Sequence, residues 1–350
     1  MPVSDFEMVR AWKQVLELSG LRAGQSVTIL TSAATHPQTL STALIATQSM
    51  GAVVNRLDLP PVNGEKALSR DALAYLGTTP LTGNKAAIAA LKASDYVLDL
   101  MTLLFSPEQH EILSGGTRIL LAVEPPEVLA RMVPTARDKA RVTAAAKRIQ
   151  AAREMRVTSP AGTDLRCPLG EFPAISEYGY VDEPGRWDHW PSGFVLTWPN
   201  EGGATGTIVI DRGDILLPQK CYVNAPIALT VEGGYATAIE GGVDAELLRE
   251  YMRAFDDPEA YAISHIGWGL QPRAHWTTLS LYDREATIGM DARAYEGNFL
   301  FSLGPNNEAG GSRATACHID IPLRGCTVSL DGQDVVRDGK VIESKDRETA

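Results

Sequence analysis

The chain holds six histidines, His36, His110, His189, His265, His275 and His318, and three of them fall in its last quarter. One stands in Cys317-His318-Ile319-Asp320-Ile321-Pro322. The isoleucines mark this segment as a strand, and side chains two apart on a strand share a face. His318 and Asp320 are therefore spaced to meet one metal ion, with Cys317 and Ile319 turned away. Taken alone, the pair also fits a strand-end histidine beside an aspartate that caps a turn. A second segment, Ala262-Ile-Ser-His265-Ile-Gly-Trp-Gly-Leu270, sets a histidine in a strand-like run followed by two glycines. Glycines let another backbone approach closely. Next to Trp268, His265 also reads as a packed core histidine. If His265 joins His318 and Asp320, two imidazoles and one carboxylate form a set that leaves coordination positions open. Non-haem Fe(II) oxygenases use such a set, and zinc hydrolases use similar ones.

Other signals are weaker. Phe299–Arg313 is an apolar strand feeding a loop rich in Gly, Asn and Ser, a common surrounding for a site. Trp187, His189, Trp190 and Trp198 lie near Glu177 in sequence. They fit the packing of a β-rich domain or a pocket for a flat ring. Arg293 and Arg313 are candidate anion holders. Glu201-Gly-Gly-Ala-Thr-Gly206 lacks the lysine of a phosphate loop and is not followed by a helical pattern, so it reads as a β-turn. No Gly-x-Ser-x-Gly elbow is present.

These residues need a scaffold, and the patterning supplies two. Strand-like runs at Val27–Leu30, Ala52–Leu57, Tyr96–Leu100 and Arg118–Val123 alternate with helical spacing at Thr39–Ser49, Lys85–Lys92 and Pro107–Leu113. That alternation predicts parallel βαβ units. Asp138–Arg153 reads as a charged helix leading out of the first domain. After Met155 the strands shorten and crowd together, punctuated by Gly, Pro and Asp-Gly turns: Val157–Ser159, Thr207–Ile210, Ile215–Leu217, Ile227–Val231 and Thr237–Ile239. One amphipathic helix, Glu246–Phe255, precedes further strands at Asn298–Leu303, Thr315–Ile321, Thr327–Leu330 and Asp334–Val336. The expected fold class is α/β: a parallel βαβ domain over residues 1–154, then a mainly antiparallel or mixed β domain over 155–343 carrying the metal site. Residues 344–350 form a polar tail.

Composition narrows the function classes. The 350 residues are 44% apolar, enough to bury a core unaided, and carry a net charge of −11. An acidic chain with no basic stripe argues against nucleic acid and against anionic membranes as partners. Cys167, Cys221, Cys317 and Cys326 are too widely spaced for a disulfide framework. Residues 1–10 contain no apolar leader segment, and no run approaches a membrane span. A cytoplasmic setting is expected, and self-association into a homo-oligomer is compatible with the sequence.

Four segments then carry a resemblance: Pro191-Ser-Gly-Phe-Val195, His265-x-Gly-x-Gly269, Gly297-Asn-Phe-Leu-Phe-Ser-Leu-Gly304 and His318-x-Asp320. They are similar to the successive site segments of the thermophilic two-metal aminopeptidases. Where those enzymes carry ligating residues, this chain has Gly193 and Phe194, His265 in place of Glu, and Leu300 in place of His. The departures reduce a two-metal site to one His-His-Asp triad. Within that superfamily the chain resembles, over nearly its whole length, the 2,5-dihydroxypyridine 5,6-dioxygenases of bacterial nicotinate breakdown. The resemblance implies Fe(II) as cofactor and extradiol-type opening of 2,5-dihydroxypyridine by O2 to N-formylmaleamate. It also implies a serine beside the metal, matching Ser302, and a role for Ser302 and Glu177 in placing the ring. A histidine base is expected in the Leu103-Leu-x-Ser106 segment, where this chain has Phe105. Two other classes stay open at this point. One is a single-zinc hydrolase or aminopeptidase-like enzyme. The other is a binding module that holds a small aromatic acid without turnover.

Overall fold

A computed structural model describes residues 2–60, 79–103 and 106–343. Phe105 and the 344–350 tail lie outside the described residues. The chain divides into two compact units that are not consecutive halves. One contains residues 1–139, 177–192 and 280–291; the other contains 140–176, 193–279 and 292–350. This differs from the expected 1–154 and 155–343.

The first unit is built on a five-stranded sheet in the order Val53–Asp58, Ser26–Thr31, Tyr96–Asp99, Arg118–Leu121, Trp187–His189. Every pairing in it is parallel. Tyr96–Asp99 is buried at all four positions, as a central strand of a parallel sheet should be. The edge strand Val53–Asp58 is largely exposed. The helices Pro37–Ser49, Lys85–Lys92 and Pro107–Ser114 follow strands as the alternation predicts.

The departure from two consecutive domains comes from the fifth strand. Trp187–His189 joins Arg118–Leu121 in parallel, Leu121 opposite His189. A parallel neighbour cannot be reached by a hairpin, so the chain must cross over before it returns. Here the crossover includes the long helix Ala136–Ala151 and the first strands of the other unit. Residues 280–291 also belong to the first unit. Arg131 grips Asp291 through both guanidinium nitrogens at 2.9 and 2.6 Å, and Glu124 accepts the Met290 amide at 2.8 Å.

A helix at Asp5–Leu18 has no counterpart in the apolar-run reading, although its start is written in the sequence. Ser4 accepts the Glu7 amide while the Glu7 side chain accepts the Ser4 amide, a reciprocal cap, and Met8, Ala11, Trp12, Val15 and Leu16 then recur on one face. Trp12 meets Trp190 edge-on at 4.9 Å, both buried. Such a pair adds about 0.5–1.5 kcal/mol beyond its buried area.

The second unit contains two larger sheets. An eight-stranded sheet runs in the order Tyr235–Gly241, Ile227–Glu232, Thr205–Ile210, Asp164–Pro168, Glu154–Thr158, Thr327–Leu330, Gln333–Arg337, Lys340–Val341, with antiparallel pairings. The Glu201–Gly206 segment forms a turn leading into Thr205–Ile210, not a phosphate loop. A five-stranded sheet has the order Ile319–Leu323, Phe299–Leu303, Ile263–Gly269, Phe194–Thr197, Ile175–Glu177. Its first three strands are buried at every position and carry His265, Ser302 and Asp320, while His318 stands one residue before Ile319, so the strand starts later than the expected Thr315.

Candidate metal centre

Three adjacent strands bring the triad together. Ile263–Gly269 and Ile319–Leu323 both pair antiparallel with Phe299–Leu303, which lies between them. Two glycines let His265's strand sit deep in the sheet. A Cβ on Gly267 would lie 1.9 Å from the Val195 carbonyl oxygen, and one on Gly269 would lie 2.1 Å from the Tyr295 carbonyl oxygen. Between Ile263 and Ile266 the register slips: Ile263 faces Leu303 and Ile266 faces Phe301, so one extra residue is fitted in beside His265. Such a bulge bends the strand and re-aims a side chain.

A bulge normally leaves backbone groups without ladder partners. Here the Ser302 hydroxyl supplies them, accepting the His265 amide at 2.9 Å and donating to the His265 carbonyl at 3.3 Å. Ser302 also stands opposite Asp320 in the ladder. It is thus the residue between the two ligand-bearing strands. Its hydroxyl is engaged by the His265 backbone.

The donor atoms converge tightly. His265 Nε2 lies 3.1 Å from His318 Nε2 and 3.0 Å from Asp320 Oδ1, and His318 Nε2 lies 3.1 Å from the same oxygen. Donors about 2.1 Å from one ion and at right angles to each other would be about 3.0 Å apart, whereas a tetrahedral angle spreads them to about 3.4 Å. Asp320 Oδ1 is buried and receives no well-directed hydrogen bond among the described residues. A buried carboxylate oxygen left in that condition is costly unless a cation meets it. The donor set therefore fits a divalent ion held on one face.

Neighbouring groups tune and orient the three. Arg293 Nε donates to Asp320 Oδ2 at 2.5 Å. Burial alone would raise the Asp320 carboxyl, but Arg293, His318 and His265 together hold it well below the usual carboxylate range. Burial opposes charge on His318; Asp320 and, further off, Glu308 outweigh this and raise it. Glu308 Oε1 faces His318 Nδ1 at 4.0 Å. Trp198 meets His265 edge-on at 5.9 Å. The neighbouring thiol of Cys317 is buried, and burial pushes it up to about 12. Of the two arginines considered as anion holders, Arg293 holds the Asp320 carboxylate. Arg313 donates to the Ile263 carbonyl at 2.8 Å, on His265's own strand. Glu308 stands out only in three dimensions, since nothing in its spacing marks it.

The aromatic residues near Glu177 in sequence pack on different rings. Trp190 packs on Trp12, Trp187 packs on His189 at 5.3 Å, and Trp198 packs on His265. Glu177 forms a short contact with His189 Nε2 in the first unit. With Asp188 these make a second group of potential ligands. Asp188 is already committed, however. It accepts the Tyr178 amide at 2.9 Å, the His189 amide at 2.8 Å and Arg186 at 2.6 Å. The pair that remains acts as an ion pair. Burial works against a charged His189, but Glu177 and then Asp188 raise it above the ordinary histidine value. A raised folded-state value means that stabilisation from the pair is full below pH ~6.5 and is lost as pH rises through the raised value. Glu177→Gln deletes the countercharge while keeping the size. It is expected to lower the His189 value, as read by ring-nitrogen NMR titration; an unmoved titration would remove Glu177 as its partner.

Comparison with known proteins places this arrangement. Residues 7–343 match the family described as 2,5-dihydroxypyridine 5,6-dioxygenase. A curated 2,5-dihydroxypyridine 5,6-dioxygenase of Pseudomonas putida KT2440 is 56% identical over 342 residues, covering 98% of each chain. A solved structure of the 2,5-dihydroxypyridine dioxygenase of that strain superimposes with a TM-score of 0.96 at 55% identity, over 98% of this chain and 99% of that one. AmpT from Thermus thermophilus superimposes with a TM-score of 0.63 at 14% identity, over 97% and 99%, a likeness of fold alone.

Proposed function

The chain belongs to the 2,5-dihydroxypyridine 5,6-dioxygenase family, and on that footing we propose that it opens the ring of 2,5-dihydroxypyridine with O2, using Fe(II) held by His265, His318 and Asp320. The cleavage is extradiol in type, gives N-formylmaleamate and serves nicotinate breakdown. The observation that carries the metal assignment is the mutual approach of three ligand atoms to 3.0–3.1 Å around one buried carboxylate oxygen. When bound, Fe(II) supplies a redox centre with open positions for O2 and a ring hydroxyl.

The protein's own contribution is placement and charge. The bulge and its Ser302 plug aim His265. His318, one residue before the Ile319–Leu323 strand, and Asp320 within it meet on the same side. Asp320 is the single anion of the set and supplies the negative charge that would hold a cation beside the two imidazoles. Trp198 walls the His265 side with an apolar ring and shields that side from water. The substrate hydroxyl must lose a proton on binding, and His265 and His318 cannot take it while they serve as ligands. A base elsewhere must do so. Cys167, Cys221, Cys317 and Cys326 are free thiols, and among the described residues no helix is long and apolar enough to cross a membrane. The free thiols support a reducing, cytoplasmic setting.

The test is anaerobic loading with Fe(II), then O2 uptake with a panel of hydroxypyridines. Loss of the 2,5-dihydroxypyridine absorbance with one O2 consumed per ring is expected, with little action on catechol or on leucyl peptides. Zinc-dependent peptide hydrolysis without O2 uptake would replace the reading with an aminopeptidase.

A further inference from the structure

Arg293 occupies a place that the ligand set alone does not explain. Its Nε meets Asp320 Oδ2 at 2.5 Å, and the two side chains are 12% and 7% exposed. The other carboxylate oxygen, Oδ1, is the one that both imidazoles approach. The carboxylate is thus split into one oxygen held by the protein and one turned to the triad.

The arginine is itself anchored. Asn298, fully buried, donates from Nδ2 to the Arg293 carbonyl at 2.8 Å and to the Ala292 carbonyl at 3.2 Å. Its Oδ1 accepts the Gly269 amide at 2.6 Å. Gly269 ends the strand that carries His265, so one buried amide ties the backbone of Arg293 to the scaffold of a different ligand.

We propose that Arg293 is a positioning residue for the metal: by holding Oδ2 it restricts Asp320 to one-oxygen ligation through Oδ1 and keeps a further position on the ion open. The inference rests on the metal reading given above. A carboxylate can bind an ion through one oxygen or through both, and the second mode would occupy a position that the chemistry needs. Arg293 blocks that mode sterically and electrostatically, because closing Oδ2 onto the ion would break a charge-assisted hydrogen bond. Arg293 touches neither ring nor O2 in this role, which makes it distinct from a catalytic residue.

The test uses the full-length chain, freed of metal and titrated anaerobically with Co(II), reading affinity and the visible ligand-field spectrum. Arg293→Gln is expected to weaken Co(II) binding about 10- to 100-fold, the usual effect of losing an outer partner. It should also change the spectrum, because Oδ2 is released to bind. Arg293→Lys keeps the charge but offers a point donor in place of a planar fork, so its affinity should fall between the two. If Arg293→Gln does not fold, the lysine variant carries the test and must still weaken binding and shift the spectrum. Variants that lose thermal stability but bind Co(II) with unchanged affinity and spectrum would overturn the proposal. A wild-type chain that binds no Co(II) would sink the metal reading, and this inference with it. A wild-type chain that binds, beside variants that match it, would sink the role of Arg293 alone.

Discussion

His265→Ala is expected to leave a folded protein that retains almost no iron and shows almost no dioxygenase activity. The ion would lose one of three donors, well beyond the ~10–100-fold cost of losing an outer partner. Stability should change much less. His265 carries a neutral ring in the metal-bound form, and Ser302 satisfies its backbone whatever the side chain. The cost should stay near the ~1–3 kcal/mol of an ordinary buried truncation. Asp320→Ala makes the informative contrast. It removes the same amount of ligation but also breaks the buried Arg293–Asp320 ion pair. Removing one partner of a buried pair costs about 3–5 kcal/mol, so Asp320→Ala should melt earlier than His265→Ala. Metal content by elemental analysis and melting by circular dichroism read both effects. Full iron occupancy in His265→Ala would remove that residue from the ligand set.

Phe105→His is expected to raise turnover by about 10²–10⁴-fold, the range attributed to a positioned general base. The reaction needs a group to take a proton from the ring hydroxyl, and the family resemblance places a histidine in the Leu103-Leu-x-Ser106 segment. Phenylalanine has no titratable group, so the present chain should bind 2,5-dihydroxypyridine and turn it over poorly. The gain should appear in kcat with little change in KM, and it should require the neutral imidazole. The rate of Phe105→His should therefore rise through the histidine range and be lost at acid pH. Stopped-flow loss of substrate absorbance across pH, in both forms, is the measurement. Equal rates in the two forms would take position 105 out of the mechanism.

Some of this protein was written locally and some was not. The parallel βαβ units of the first unit were legible because their signal is local: an apolar run, a break, then helical spacing. The Asp5–Leu18 helix was equally local, announced by Ser4 and Glu7. The common face of His318 and Asp320 was legible too, since a strand's period of two needs no knowledge of its neighbours. What lay beyond reach was everything set by strand neighbours. The order that puts Phe299–Leu303 between the two ligand-bearing strands, the slipped register beside His265 and the 53-residue gap between the two histidines are long-range facts. The return of Trp187–His189 to the first sheet is another, because a crossover can be spelled in many ways and leaves no mark at its ends. Arg293 shows the division most clearly. In sequence it is one of two arginines marked as candidate anion holders, 27 residues from Asp320 and with no sign of which anion it meets. Only the packed strands bring it to the far oxygen of that carboxylate. The residue types and the strand period determined what chemistry the chain can attempt, and tertiary packing decided which atoms meet, because a hydrogen bond or a metal ligand depends on separations of a few tenths of an ångström that sequence distance does not encode.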